Sequence, residues 1–209
     1  GLICFKKGWR AAVMTDLLSF HAQSMERINS AFFEVGDGVA ATKERSSAVD
    51  QIVAGLFDRY WPAEAREGCA VLAVGGYGRQ ELFPYSDVDL LFLFDKEAAA
   101  KRSQEPLSQL LTALWDAQLR VSQSVRTVSE LGRLADGNSE LHISLLDLRF
   151  LVGDRSLYEQ LATQHLPRFL VRERKSLMRS LIQLAEERRA EFGDTIYHLE
   201  PDIKEGPGG

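Results

Sequence analysis

The sequence predicts an α+β protein, a small mixed β-sheet core flanked by N-terminal and C-terminal helices. Two observations carry that expectation. Apolar runs at Cys69–Val74 and Val88–Phe94 are continuous and bounded by breakers, the pattern of strands buried on both faces. On either side of them, apolar residues recur at helical rather than alternating spacing.

In chain order, residues 14–35 form a first helix, with Leu17, Leu18, Met25, Ile28 and Phe32 on one face. GDGVAATKERSS then interrupts the pattern with glycines. SAVDQIVAGLFDRYW is a second helix that turns Val49, Ile52, Val53, Leu56, Phe57 and Tyr60 inward, and Pro62 begins the break after it. Two strands follow, separated by GGYGRQELFPYS. Residues 104–118 form a helix with Pro106 in its first turn, and LRVSQSVRTV alternates as a third strand. Beyond residue 130 the spacing is helical again, in segments near 139–151, 155–170 and 171–192. The expected organisation is a helical segment at 1–66, the core at 67–130 and a second helical segment at 131–209. Trp9, Trp61 and Trp115 lie on or beside apolar stripes and are expected to pack rather than stack on a ligand. His21, His142, His165 and His198 are dispersed and suggest no metal site.

With 209 residues, 45% hydrophobic and 26% charged, the chain has the composition of a soluble globular protein. Its net charge of −5, with lysine and arginine scattered, argues against a nucleic-acid platform but leaves a nucleotide open as a small ligand. Cys4 and Cys69 have no metal-type spacing and are expected to be two separate thiols in a reducing compartment. No apolar run approaches the ~20 residues of a membrane span, and GLICFKKGWRAAVM lacks the order of a signal peptide. The expectation is a fragment of a longer cytoplasmic protein with neither nucleic acid nor membrane as partner.

The chemistry concentrates in GGYGRQELFPYSDVDLLFLF. Asp87 and Asp89 stand two residues apart at the head of a buried strand, so both carboxylates point to one face. Like charges beside a core are costly unless a cation sits between them. A divalent ion, Mg²⁺ sharing its shell with phosphate oxygens, fits best. Gly75 and Gly76 would let the backbone approach a triphosphate, and successive N–H groups there form an anion-binding nest. Arg79 could grip the same phosphates. The glycines follow one strand and the acids open the next, so both belong at one edge of the sheet.

This stretch resembles the signature of polymerase-β-type nucleotidyltransferases, and more narrowly that of bacterial protein-PII uridylyltransferases, close to G-G-Y-G-R-x-E-L-x-P-x-S-D-x-D-L-L. Gly75 to Arg79, Glu81, Leu82, Pro84, Ser86, Asp87, Asp89, Leu90 and Leu91 all fit it. SVRT (Ser124–Thr127) and the terminal LEPDIKEGPGG (Leu199–Gly209) agree as well, with Asp202 where the family has Asn. The resemblance covers about residue 45 to the end. It implies transfer of UMP from UTP to a tyrosine of a PII signalling protein, with Asp87 and Asp89 holding Mg²⁺. It further implies that Gly75, Gly76 and Ser86 line the triphosphate, with Arg79 on its charge. Lys204 in the tail could reach a phosphate, and a Pro-Gly turn leading onward is the equal alternative there. Whole enzymes of the family carry an HD domain that removes uridylyl groups and two ACT domains that sense glutamine. Neither is expected in this sequence, so only the transfer half is claimed. One departure stands out, because the superfamily usually draws a third carboxylate from a neighbouring strand and Leu119–Thr127 contains none. That acid would come from Asp147 or the tail, or the site would use two acids and water. A protein adenylyltransferase on the same fold and a non-catalytic Mg-nucleotide-binding module are the alternatives.

Overall fold

The computed structural model describes residues 2–132 and 139–192. Lys204, His198 and the LEPDIKEGPGG stretch lie outside the described residues. Two long helices come first, α1 (Leu2–Val35) and α2 (Gly38–Tyr60). The break between them is only two residues long, not the whole of GDGVAATKERSS. Gly36 takes φ +77° and closes α1 by donating to the Phe32 carbonyl at 2.7 Å. Asp37 then caps α2, its carboxylate accepting from the Ala40 amide at 2.9 Å. The polar run continues as helix because Thr42 and Ser46, both buried, satisfy their hydroxyls on the Val39 and Thr42 carbonyls.

Past α2 the chain forms β1 (Cys69–Ala73), a one-turn helix α3 (Gly75–Gly78) and β2 (Val88–Phe94). Next come α4 (Glu97–Arg102), α5 (Gln104–Asp116), β3 (Val121–Thr127) and α6 (Val128–Gly132). Then follow α7 (Ser139–Ser144), a 3₁₀ turn at Leu145–Asp147 and β4 (Arg149–Gly153). The described chain closes with α8 (Arg155–Gln160), a π turn at Leu161–His165 and α9 (Leu166–Phe192). The sheet has the order β3-β2-β1-β4. β1 is antiparallel to both of its neighbours and β2 is parallel to β3, so the sheet is mixed as expected. The parallel pair is joined through α4 and α5, the crossover that such a pair requires.

The fourth strand corrects the sequence reading. Residues 149–153 were expected to end a helix spanning 139–151, yet they pair with β1 from Ala70 to Ala73. The sheet therefore takes a strand from beyond residue 130. Gly153 permits the pairing, since a Cβ there would lie 2.3 Å from the Cys69 carbonyl oxygen.

Both faces of the sheet are covered. On one, Val71, Ala73, Val88, Leu90, Phe92 and Phe94 pack with α2 and α5. On the other, Ala70, Leu72, Leu91 and Leu93 meet Leu131, Leu141, Leu145, Leu157 and Leu161. Trp61, 1% exposed, stacks on Phe57 and Phe92 with ring centroids 4.8 and 6.3 Å away. Burying a side chain of this size contributes on the order of 2–3 kcal/mol. Trp115 does not pack as expected and is 50% exposed at the end of α5. Cys69 is free and buried, its thiol pushed up to about 12 by burial and, after that, by Asp154 and Asp95.

Candidate functional site

The alternation of β2 decides what reaches the sheet edge. Leu90 and Phe92 face α2 and α5, whereas Asp89, Leu91 and Leu93 share the opposite face. Leu91 and Leu93 are sealed beneath α6, α7 and α8; Asp89, at the strand's open end, is only half-buried. Asp87, also half-buried, directly precedes the strand. The glycine turn lies against this end. Val74 donates to the Asp89 carbonyl at 3.1 Å, and Gly75 takes φ +58°. The left-handed backbone is what calls for glycine here, since a Cβ on Gly75 would stand 3.4 Å from Asp89 Oδ2, an ordinary contact.

The turn is held from behind by a network that no motif announces. The Tyr77 hydroxyl donates to Asp50 Oδ1 at 2.6 Å. Arg149 donates to both oxygens of the same carboxylate, at 2.6 Å from Nη1 and 3.1 Å from Nη2. It also donates to the carbonyls of Tyr77 (3.1 Å) and Gly78 (3.2 Å). The guanidinium lies over the Tyr77 ring, 5.2 Å from its centroid. Burial, and then the Asp50 charge, hold the Tyr77 hydroxyl well above its usual pKa, so it stays a donor. Asp50 comes from α2 and Arg149 from β4, and together they fix the backbone of the GGYG turn.

Arg79 is fixed from the other side. Its Nε donates to Glu81 at 2.7 Å and its Nη1 to Asp147 at 2.6 Å. The hydrogen bond to Glu81, ahead of that to Asp147, raises its pKa further. Its Nη2 lies 3.9 Å from where a Gly76 Cβ would be, so the guanidinium stands at the turn while engaged with two carboxylates. The Asp147 carbonyl packs so tightly on Gly78 that a Cβ there would sit 1.7 Å from its oxygen.

In front of Asp89 opens a cleft of about 340 Å³ lined by Val74, Ser122, Ser124, Arg126, Leu141 and Ser144 among others. The β2–β3 register sets Ser122 beside Asp89, Ser124 beside Leu91 and Arg126 beside Leu93. Two hydroxyls and a guanidinium thus share the face of the aspartate. Among the described residues, no cluster of three or more His, Cys, Asp or Glu could hold a metal.

The structure therefore brings Gly75, Gly76, Arg79 and Asp89 to one edge, with Asp87 immediately ahead of the strand. Ser86 it places elsewhere, in a cleft on the far face of the sheet. Asp147 serves Arg79. The residues that sequence reasoning did not assign are Asp50 and Arg149, behind the turn, and Ser122, Ser124 and Arg126, in the cleft. Only the last three left a signal, the alternation of β3.

A family model described as GlnD PII-uridylyltransferase matches residues 176–209. Over 183 residues the chain is 39% identical to the bifunctional uridylyltransferase/uridylyl-removing enzyme of Rhodospirillum rubrum, covering 84% of this chain and 19% of that protein. The enzymes of that name from Methylococcus capsulatus (38% identity; 85% of this chain, 20% of that protein) and Aromatoleum aromaticum (41%; 80% and 19%) match similarly. The chain spans about one fifth of the length of these curated relatives. It is a relative of the bifunctional uridylyltransferase/uridylyl-removing enzymes.

Proposed function

We propose that the chain is the nucleotidyltransferase part of a PII uridylyltransferase, transferring UMP from UTP to a tyrosine of a PII signalling protein in the cytoplasm. The observation that carries the reading is the contact of the glycine turn with Asp89 at the mouth of a cleft lined by hydroxyls and a guanidinium. The names of the relatives supply the substrate class.

The residues present fit Mg²⁺. Asp87 and Asp89 offer hard carboxylate oxygens, and with no third acid beside them among the described residues, phosphate and water would complete the shell. Bound there, the ion would neutralise phosphate charge and polarise the reacting phosphorus. The protein's share is placement. Gly75 and Gly76 present their amides to the triphosphate, and the Asp50–Tyr77–Arg149 network keeps that turn in one geometry. Arg79, and Lys204 from the tail, add positive charge; Ser122, Ser124 and Arg126 line the path that the phosphates take. Attack of the tyrosine oxygen on the α-phosphorus forms the new P–O bond as the bond to the β-phosphate breaks, and pyrophosphate leaves.

Calorimetric titration of UTP, and separately ATP, with and without Mg²⁺ tests this. Metal-dependent binding that prefers UTP and disappears in Asp89→Asn, with the circular dichroism spectrum unchanged, is expected. Equal binding by Asp89→Asn would sink the metal assignment, and preference for ATP would point to a protein adenylyltransferase. The two-acid site favours one second reading, a module that binds Mg-nucleotide without transfer. Pyrophosphate release in the presence of a PII protein separates the two.

A further inference from the structure

A second cleft, of about 270 Å³, lies on the opposite face of the sheet from Asp89. Its walls are α1, α2, the loop that runs into Asp87 and the chain entering β3; Val49 and Val88 on its floor belong to the core beneath α2. His21, Arg45 and Arg120 line it, and among the described residues no Asp or Glu does. That is unusual in a chain of net charge −5, where Arg66, Arg79 and Arg149 all hold carboxylates.

Arg45 is half-buried between α1 and α2, and among the described residues its hydrogen-bond partners are neutral. Its Nη1 donates to Met25 Sδ at 3.2 Å and its Nη2 to Asn29 Oδ1 at 2.9 Å. A guanidinium has five N–H donors, so these contacts leave donors over. Burial lowers its pKa, with Tyr85 acting in the opposite direction, and burial followed by the Arg45 charge lowers that of His21. Among the described residues, Arg45 has no carboxylate partner, and the charged residues that line the cleft are basic. Arg120 is exposed, and so are two aromatics on the loop, Phe83 at 47% and Tyr85 at 83%. Tyr85 takes φ +66°, a left-handed conformation that a bulky residue holds at a cost of about 1 kcal/mol or more.

We propose that this cleft binds a small organic anion, its carboxylate or phosphate held by Arg45 and Arg120 and its carbon body covered by Phe83 and Tyr85. The volume sits near the lower end of small-molecule sites. Ser86 lines the cleft and Asp87 follows it, so an occupant bears directly on the backbone that carries the first aspartate.

Inorganic phosphate and succinate, titrated calorimetrically into the whole chain at low ionic strength, are the probes. One saturable site is expected for at least one of them, and the tighter probe identifies the head group. Arg45→Gln should weaken it about tenfold or more, the loss of one charge-assisted hydrogen bond. Arg120→Gln, at an exposed position that does not endanger folding, should weaken it several-fold and decides the matter if the first variant misfolds. Arg66→Gln, which lines neither cleft, should bind like the wild type. The proposal is overturned if neither probe saturates or if both cleft variants bind normally. It is equally overturned if Arg79→Gln loses binding while Arg45→Gln keeps it, since the anion then belongs to the glycine turn. None of these outcomes depends on whether the chain transfers UMP.

Discussion

Asp50→Ala is the perturbation that most directly tests how the glycine turn is held. The substitution removes the acceptors of three hydrogen bonds, from the Tyr77 hydroxyl and from both Nη atoms of Arg149. Breaking one partner of a fully buried ion pair costs about 3–5 kcal/mol. Here the side chains of Arg149 and Asp50 are 22% and 26% exposed, so water relieves part of that. Arg149 also keeps two backbone carbonyls as acceptors. The expected loss is therefore about 2–3 kcal/mol, against about 1 kcal/mol for Tyr77→Phe, which removes a single hydrogen bond. For a chain of this size the larger figure lowers Tm by roughly 5–10 °C. Urea unfolding followed by circular dichroism measures the loss, and a double-mutant cycle with Arg149→Ala isolates the pair. A loss under about 0.5 kcal/mol, or strictly additive single variants, would refute the idea that α2 and β4 clamp the turn through this carboxylate.

Two further outcomes follow from the same geometry. Gly78→Ala would set its Cβ 1.7 Å from the Asp147 carbonyl oxygen and 2.9 Å from its carbon, both backbone atoms, so it should cost about 3 kcal/mol or more. In Gly76→Ala the nearest atoms are 3.7 and 3.9 Å away, which is ordinary contact, so stability should stay within about 0.5 kcal/mol. Equal urea midpoints for the two variants would contradict the packing described. His21, with a pKa held below its ordinary 6.5, predicts a pH effect of definite sign. Between its folded pKa and 6.5 the unfolded chain binds the proton more readily, so stability is full above 6.5 and falls as the pH drops through that window. Comparing urea midpoints at about pH 7.5 and about pH 5.5 should show this loss, smaller in His21→Gln. An identical loss in the variant would assign the effect to other groups.

The parts of the fold that were legible in the sequence are those that local chemistry dictates. β2 matches its apolar run residue for residue because it is buried on both faces, and a continuous apolar run between breakers has few other uses. The inner face of α2 was legible for a similar reason: Val49, Ile52, Val53, Leu56 and Phe57 are all buried at helical spacing. Residues 149–153 were not, because Leu145, Leu148 and the apolar residues after them continue a helical spacing. What makes them a strand is hydrogen bonding to β1, some 80 positions earlier, which no local pattern records. Trp115 misled because lying beside an apolar stripe does not say which side of its edge a residue falls on. Asp50 and Arg149, 99 positions apart, each read as an ordinary charged residue; only the fold pairs them.

Asp147 shows why residue type alone does not settle the role of an acid near this site. As a carboxylate past the third strand it qualified for the missing place beside Asp87 and Asp89. In the structure its side chain is bound to Arg79 and its carbonyl abuts Gly78. Two residues on, Arg149 reaches the carbonyls of Tyr77 and Gly78 from the other direction. The chain entering β4 therefore grips the GGYG turn twice within three residues, at its arginine and at its backbone. A phosphate cradle made of backbone amides works only if those amides already point where charge will arrive, since reorienting them on binding would forfeit the gain. On the proposed function, the strand that sequence reasoning assigned to a helix thus shares with α2 the task of holding the turn in place.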